Sequence, residues 1–145
     1  MIYHTAVRTS DSATWGTFDD LDACVLKAVR TCEAMRSSFD FIAVQGVSGM
    51  SIGFPLAVKL GCPIVVVRKD DEDCHGSRGE VVGRKTIRRD GLHRGLFVDD
   101  FVSMGSTRSR VTMGVESISP IAGKRQPRIV AQYTSQEDSF ESLRT

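Results

Sequence analysis

The chain has 145 residues, 41% of them hydrophobic and 26% charged, with a formal net charge of +1 at pH 7. These values are typical of one globular domain, and so small a net charge predicts neither a nucleic-acid partner nor a membrane surface. The N-terminus lacks the basic start and apolar run of a signal peptide, and no apolar stretch approaches the roughly 20 residues that span a bilayer. Cys24, Cys32, Cys62 and Cys74 have no CxxC spacing, so we expect free thiols in a reducing cytoplasm, with a zinc site at Cys74 and His75 as the alternative.

The first half of the chain is predicted to alternate helices with strands. Thr17 can cap a helix whose apolar residues recur at helical spacing from Phe18 to Met35. The stretch "FDFIAVQG" predicts a short buried strand over Phe41–Gln45. It is followed by a predicted helix, "SGMSIGFPLAVKLG", which ends at Gly61 and has Pro55 either in its first turn or at a distortion.

The second half continues the alternation. "CPIVVVRK" is rich in β-branched residues and predicts a central strand, and "GLFVDD" predicts another. "STRSRVTMGVESI" predicts a helix, "RIVAQYT" a last strand, and the polar "SQEDSFESLRT" a loosely held tail. The alternation predicts an α/β fold with a central parallel sheet, flanking helices and right-handed crossovers.

A long segment of charged residues and glycines, 69–95, separates the second and third predicted strands. A connection of this length inside a compact domain is usually a functional flap. Within it, "EVVGRKTIRR" alternates well enough to predict one arm of a hairpin.

Unusual chemistry follows each of the first three strands, where a parallel sheet collects its ligands. The glycines of "QGVSGMS" follow the first strand, Arg68 and Lys69 the second, and Asp99 and Asp100 the third. The turn Ser103–Thr107 then enters a helix and predicts a phosphate cradle, although it lacks the lysine of a Walker loop. Because carboxylates bind sugar hydroxyls or a hydrated magnesium ion, the combination predicts a phosphorylated sugar as ligand.

Two stretches of this sequence match one known family. "LFVDDFVSMGST" resembles the phosphoribosyl pyrophosphate (PRPP) signature of type I phosphoribosyltransferases: an apolar strand, two acids, two apolar positions and a small-residue turn. "FIAVQGVSGMSIGFPLAVKLGCPIVVVRK" is similar to the strand, pyrophosphate loop, helix and strand that precede this signature in the family. The resemblance covers Phe41–Val111. In addition, "HGSRGEVVG" resembles the mobile catalytic loop of orotate phosphoribosyltransferases.

The resemblance implies a role for each matching residue. Asp99 and Asp100 would bind the ribose hydroxyls, Arg68 and Lys69 would lie against the pyrophosphate, and His75 in the flap would close over it. The implied 5-phosphate turn consists of Ser103, Met104, Gly105, Ser106 and Thr107. The implied pyrophosphate loop, which in the family commonly contains a non-proline cis peptide, consists of Val47, Ser48 and Gly49.

The implied activity is transfer of the 5-phosphoribosyl group from PRPP to a nucleobase with release of pyrophosphate. Mg²⁺ would be held mainly by PRPP and water, without direct protein ligands, and the protein would be a homodimer. One domain is expected, with a core over 17–134, the flap over 69–95 and a hood built from 1–16 and 120–145. The alternative is a regulatory protein that binds PRPP without turning it over.

The acceptor base stays open between orotate and a purine. The flap favours orotate, whereas "VVVRK" and "GMSIGFPLA" are compatible with purines. The orotate-type loop has a lysine just before its histidine, which is absent from "DDEDCH". The candidates to replace that cation are Arg84, Lys85, Arg88 and Arg89.

Overall fold

The computed structural model describes residues 18–69, 80–102 and 104–143. Its helices are α1 (Phe18–Ala34), α2 (Gly46–Leu60), α3 (Arg84–Asp90) and α4 (Ser106–Glu116). Its strands are β1 (Phe41–Val44), β2 (Ile64–Val67), β3 (Val81–Val82), β4 (Arg94–Asp99), β5 (Arg128–Thr134) and β6 (Ser139–Ser142). A 3-10 turn, Arg36–Ser38, joins α1 to β1.

The strands form one sheet in the order β3-β2-β1-β4-β5-β6. The central four, β2, β1, β4 and β5, are parallel to one another, which confirms the predicted α/β fold with a parallel sheet. The two edge strands run the other way, because β3 pairs antiparallel with β2 and β6 pairs antiparallel with β5. The sheet is therefore parallel at its centre and mixed as a whole.

Helices cover both faces of the sheet, so its central strands are buried on both sides. Along β1, Ile42 and Val44 pack into a cluster with residues of α1 and α2. Phe41 and Ala43 point to the opposite face and pack with residues of α3 and α4. This alternation follows from the two-residue period of a strand and explains why β1 reads as a continuous apolar run.

Helix α2 is fixed close to the sheet by two of its glycines. A Cβ at Gly49 would lie 2.9 Å from the carbonyl oxygen of Val98, and one at Gly53 would lie 2.6 Å from Val44 Cγ1. The helix ends as predicted at Gly61, which has a φ of 65°. It begins earlier than predicted, at Gly46, so Pro55 lies in the helix interior rather than in the first turn.

The stretch predicted as a hairpin arm contains a helix instead. Only Val81 and Val82 are strand residues, and α3 begins directly after Gly83, whose φ is 94°. Arginine and lysine favour a helix, and Gly91, with a φ of 65°, ends it. One turn of this helix buries Ile87 in the core. The apparent alternation of "EVVGRKTIRR" therefore arises because Ile87, on the short helix α3, is buried.

The C-terminal stretch, predicted as a loose tail, is an edge strand. β6 pairs with β5 from Ala131↔Ser142 to Thr134↔Ser139, and the N–H of Leu143 donates to the carbonyl of Val130 at 2.8 Å. Much of the segment assigned to the hood, 120–145, thus lies in β5 and β6 of the central sheet. The division into core, flap and hood stays a prediction.

An ion pair joins β1 to β4 at their amino ends, opposite to the end where ligands were predicted. The Asp40 carboxylate accepts hydrogen bonds from Arg94 Nη2 at 2.8 Å and from the Arg94 backbone N–H at 2.9 Å. Partial burial acts to raise the pKa of Asp40, but the bonds from Arg94 and from the His93 N–H outweigh it, so the pKa lies below 3.8.

In the part of the chain described, no helix is long and apolar enough to cross a membrane.

Candidate functional site

A cavity of about 380 Å³ opens at the carboxyl ends of β1, β2 and β4. These are the three strand ends whose chemistry the sequence singled out, and the structure brings them together. The lining consists of the segments that follow each strand and of the start of α4: Gln45, Gly46, Val47, Ser48, Lys69, Asp99, Asp100, Phe101, Val102, Gly105, Ser106, Thr107 and Arg108.

Two helix N-termini face this cavity. Helix α2 begins at Gly46 with its first residues in the lining, and α4 begins at Ser106 in the same way. Neither N-cap residue, Gln45 or Gly105, makes a side-chain capping hydrogen bond. The first backbone N–H groups of both helices have no partner within their own helix, and such groups bind anions well. The cavity therefore offers two places for a phosphate.

Glycine makes the sharp entry into both helices possible. Gly46 has a φ of 77° and Gly105 a φ of 76°, in the left-handed region that other residues seldom adopt. The side chain of Lys69 also lies close to Gly46. A Cβ there would lie 3.6 Å from both Cε and Nζ of the lysine. The ammonium group thus lies beside the N-terminus of α2 and adds positive charge to it.

The acidic pair, Asp99 and Asp100, lines the same cavity and is buried. Asp99 is 7% exposed and Asp100 is 5% exposed. The Asp100 N–H donates to Asp99 Oδ1 at 2.9 Å, and the Phe101 N–H donates to Asp100 Oδ1 at 2.9 Å. Asp100 Oδ2 is buried and has no hydrogen-bond partner among the described residues. Since a buried carboxylate oxygen seldom stays without a partner, this atom indicates a ligand.

Burial also changes the acidity of Asp99. Burial, followed by the neighbouring Asp100, raises the pKa of Asp99 from 3.8 to about 7, against the opposing effects of the Asp100 N–H and Lys69. A carboxylate beside Asp99, in a site shielded from water, disfavours the charged form of Asp99. The fold therefore holds a carboxyl group whose charge changes near neutral pH.

Two further predicted residues, Gly49 and Met104, do not line the cavity. Gly49 lies buried beneath it, against β4, and the described peptide bonds, including those of 46–49, are all trans. Met104 is 92% exposed and is absent from the lining. Ser103 and His75 lie outside the described residues, as does Cys74.

Arg68 and Lys69 point to different places. Lys69 lines the main cavity, whereas Arg68 lines a smaller depression of about 220 Å³. This second depression shares Gly46 with the main cavity and is otherwise formed by Met50, Val66 and Val82. The two cations at the end of β2 are thus separated by the strand's alternation.

The four candidates for the missing flap cation lie on α3 and do not reach the cavity lining. Arg88 Nε donates to the Ser119 carbonyl at 3.0 Å, and Arg89 pairs with Asp90 at 2.9 Å. Within 18–69, 80–102 and 104–143, no three His, Cys, Asp or Glu side chains gather into a group that could hold a metal ion.

Several lining residues were missed by sequence reasoning. Arg108, in the first turn of α4, donates from Nη1 to Gln132 Oε1 at 2.6 Å, which fixes its guanidinium at the cavity wall. Gln45 closes the floor. Phe101 and Val102 supply apolar wall. The spacing of Arg108 from the small-residue turn was the available signal, because residues in the first turn of a helix face whatever its N-terminus binds.

Solved structures of phosphoribosyltransferases are similar to this chain. Adenine phosphoribosyltransferase from Thermoanaerobacter pseudethanolicus is 23% identical with a TM-score of 0.57, over 80% of this chain and 69% of that one. The adenine enzyme from Leishmania tarentolae is 21% identical with a TM-score of 0.58, over 81% and 57%. Orotate phosphoribosyltransferase from Aeropyrum pernix is 16% identical with a TM-score of 0.59, over 82% and 60%.

These similarities show the fold of the chain. The resemblance to type I phosphoribosyltransferases noted in the sequence is thereby confirmed at the level of the fold. The chain spans less than two thirds of the Leishmania and Aeropyrum proteins. No family model matches the chain, and no curated protein matches it.

Proposed function

We propose that this protein is a phosphoribosyltransferase that transfers the 5-phosphoribosyl group of PRPP to a nucleobase and releases pyrophosphate. One observation carries the proposal: a single cavity is lined by two uncapped helix N-termini and by the acidic pair. PRPP carries the matching groups, since phosphates at both ends flank a ribose with two hydroxyls. The fold, which phosphoribosyltransferases share, supports the same conclusion.

We assign the 5-phosphate to the turn before α4, through the N–H groups and hydroxyls of Ser103–Thr107. Arg108 is added to this cradle because its guanidinium is held beside it by Gln132. An arginine fixed in this way binds a phosphate with two parallel hydrogen bonds. Met104 would contribute only its backbone.

We assign the pyrophosphate to the N-terminus of α2. Val47 and Ser48 offer backbone N–H groups, Gly49 keeps this helix close to the sheet, and Lys69 supplies charge. Arg68 and His75 would act from the edge of the site, Arg68 from the neighbouring depression. Positive charge here stabilises the leaving group as negative charge accumulates on it.

In the reaction, a ring nitrogen of the base forms a bond to C1 of the ribose as the bond from C1 to the pyrophosphate oxygen breaks. The pyrophosphate leaves with the electron pair, and the nitrogen's proton passes to solvent. The protein needs no covalent intermediate. Asp99 and Asp100 would accept hydrogen bonds from the ribose hydroxyls and hold the sugar in place, so that catalysis comes from positioning and electrostatics.

The residues present fit a magnesium ion carried by the substrate. Asp100 Oδ2 is a buried carboxylate oxygen with no partner in the described chain, and Asp99 lies beside it. Mg²⁺ keeps several waters and takes few direct carboxylates, so these two residues would hold it through ribose and water. When bound, the ion would neutralise the charge of the pyrophosphate.

We further propose a homodimer in the cytoplasm. Helix α2 has an exposed apolar stripe formed by Val47, Phe54 and Val58. These residues are 69%, 44% and 78% exposed, respectively. A stripe of this kind is typical of a protein–protein interface. Cys24, Cys32 and Cys62 are free thiols, which suits a reducing compartment.

The test is pyrophosphate release from PRPP with magnesium and one base at a time: adenine, guanine, hypoxanthine, xanthine, orotate, uracil or nicotinate. We expect release that depends on one base or one class of base, which would also identify the acceptor. Asp99→Asn/Asp100→Asn is expected to lose at least about a hundredfold in kcat/KM. Asp19→Asn/Asp22→Asn, on exposed turns of α1, is the matched control.

Two outcomes would change the proposal. Wild-type rates in the Asp99→Asn/Asp100→Asn variant would contradict the assigned site. Tight PRPP binding without release for any base would favour the alternative, a regulatory protein that senses PRPP.

A further inference from the structure

We propose that Gln45 is a positioning residue that fixes the two phosphate sites of the cavity at a set distance from each other. The identity of the ligand rests on the proposed function. Gln45 is the residue between β1 and α2, and its side chain connects the end of β2 to Arg110 of α4. All three ligand-facing segments are thereby joined through one amide.

The first observation is that Gln45 occupies an N-cap position without capping. The residue is 3% exposed, and its side chain makes no hydrogen bond to the start of α2. A buried amide must have its donor and acceptor satisfied elsewhere. The N–H groups of α2 therefore stay open toward the cavity while the side chain points to neighbouring elements.

The donor side of the amide reaches β2. Gln45 Nε2 donates to the carbonyl of Val67 at 3.0 Å. Backbone pairing of β1 with β2 has its last register pair at Val44↔Val66, so the side chain extends the connection by one residue. Val67 immediately precedes the two cations at the end of β2. This bond therefore fixes the backbone that carries Lys69 relative to the start of α2.

The acceptor side reaches α4. Arg110 Nε donates to Gln45 Oε1 at 3.0 Å, and Arg110 Nη2 lies 3.5 Å from Thr107 Oγ1. A hydrogen bond with a charged donor is stronger than one between neutral groups. Arg110 is exposed and Thr107 lines the cavity, so this link runs from the buried floor to the cradle assigned to the 5-phosphate.

Cutting the Gln45 link should change the distance between the two phosphate sites more than it changes the affinity of either site for its own phosphate. Each helix N-terminus still binds an anion when the link is cut, because its N–H groups are unchanged. PRPP, however, must place both phosphates at once, and its affinity depends on the two sites being held apart by the correct distance. Loss of Gln45 should therefore weaken PRPP far more than it weakens either half of the molecule.

The experiment measures binding by titration calorimetry in magnesium buffer, with PRPP, inorganic pyrophosphate and ribose 5-phosphate as three separate probes. Gln45→Leu removes both links, and Gln45→Glu keeps the Arg110 link while losing the donor to Val67. Arg110→Met removes only the exposed link. The matched control is Gln126→Leu, which removes an amide that donates to the carbonyls of Glu116 and Ile118 away from the cavity.

We expect Gln45→Leu to raise the Kd for PRPP about tenfold while the Kd values for the two fragments change less than about threefold. Arg110→Met should raise the Kd for PRPP about threefold, and the double variant should be no weaker than Gln45→Leu, because both act through one link. Gln126→Leu should leave all three Kd values unchanged, whatever its effect on Tm.

The inference and the proposed function can fail separately. Equal PRPP affinity in wild type and Gln45→Leu, or equal losses for PRPP and both fragments, would overturn the positioning role alone. Strictly additive effects of Gln45→Leu and Arg110→Met would also overturn it. Wild-type protein that binds none of the three probes would overturn the proposed function and this inference with it. Arg110→Met and Gln45→Glu keep the test valid where Gln45→Leu does not fold.

Discussion

Asp99 and Asp100 lie in surroundings that penalise their charge. A core built for stability alone would place apolar residues at the end of β4, where both side chains are more than nine-tenths buried. Burying these carboxylates costs free energy because the free protein supplies them with few donors or cations. A ligand's hydroxyls and cations would offset that cost, so we expect the pair to bind a ligand. Function and stability therefore oppose each other at these two positions.

Replacing Asp99 by asparagine should stabilise the ligand-free protein. The folded pKa of about 7 lies above the ordinary 3.8, so the unfolded chain loses this proton first and the folded state loses stability as pH rises from about 4 to 7. Above pH 7 we expect Asp99→Asn to have a free energy of unfolding higher by roughly 2–3 kcal/mol. Urea unfolding at a series of pH values measures this.

The difference between Asp99→Asn and wild type should vanish near pH 4 and widen toward pH 7. The exposed Asp22→Asn on α1 controls for the substitution itself. A difference that is constant with pH would show that Asp99 is ionised normally in the folded protein.

Gly49 is expected to tolerate no side chain. A Cβ would meet the Val98 carbonyl at 2.9 Å, and backbone cannot yield as a flexible side chain can. Overpacking costs about 1–3 kcal/mol and exceeds the gain of under ~1 kcal/mol in helix propensity, so Gly49→Ala should be destabilised by about 1–2 kcal/mol. The neighbouring Ser48→Ala, measured in the same urea series, should differ little from wild type; equal stability of both variants would contradict the close contact.

Among the elements, β1 is held by a side-chain contact at each end. At the carboxyl end Gln45 bonds to Val67 of β2, and at the amino end the Asp40–Arg94 ion pair joins β1 to β4. The Asp40–Arg94 ion pair does not face the cavity. Its expected role is to hold the register in which Phe41 lies opposite Gly95.

Asp40→Asn should therefore destabilise the protein by about 1–2 kcal/mol at neutral pH. Because the pKa of Asp40 lies below 3.8 in the folded state, the stabilisation is present above that pH and is lost as pH falls through it. The difference from wild type should accordingly shrink in acid. Asp90→Asn, which breaks the exposed Arg89–Asp90 pair, is the control and should have little effect at any pH.

The elements that sequence reasoning predicted correctly are those that bury a periodic apolar pattern. The central strands and α1 belong to this class, since each contacts the core along most of its length. Helix α3 and strand β6 have few buried residues, Ile87 in the first case and the partly buried Phe140 in the second. What decides their structure is a positive φ at Gly83 and a vacant edge on β5, and neither can be read from a local pattern.

For the whole molecule, the sequence indicated the cavity because parallel strands end on the same side of a sheet. The contacts that hold Gln45 and Arg108 could not be predicted, because they join these residues to Val67, Arg110 and Gln132, between 22 and 65 residues away. Contacts over such separations leave no trace in a single sequence. Residues that stand out by their side-chain type at the end of a strand were proposed as site residues from the sequence. Residues whose proposed role depends on a long-range contact were not.

Binding of PRPP with magnesium should raise the thermal stability of the entire domain. A ligand at a hundredfold excess over its Kd adds about 2.7 kcal/mol to the folded state, which corresponds to roughly 5–10 °C in Tm for a chain of this size. Differential scanning fluorimetry measures the shift. Asp99→Asn/Asp100→Asn should show little of it, and an equal shift in that variant would place the binding site elsewhere.

The position of β1 in the sheet has a consequence for how the chain is made. β1 lies between β2 and β4, and its pairing with β4 joins residues about fifty positions apart. During synthesis, β1 must therefore wait with one edge open until β4 has left the ribosome, and contacts of such long range form slowly. Because α4 follows β4, the proposed phosphate cradle is made after β1, α2, β2 and β4. A nascent chain should thus acquire its ligand site only once α4 has left the ribosome, well after its first helices have been made.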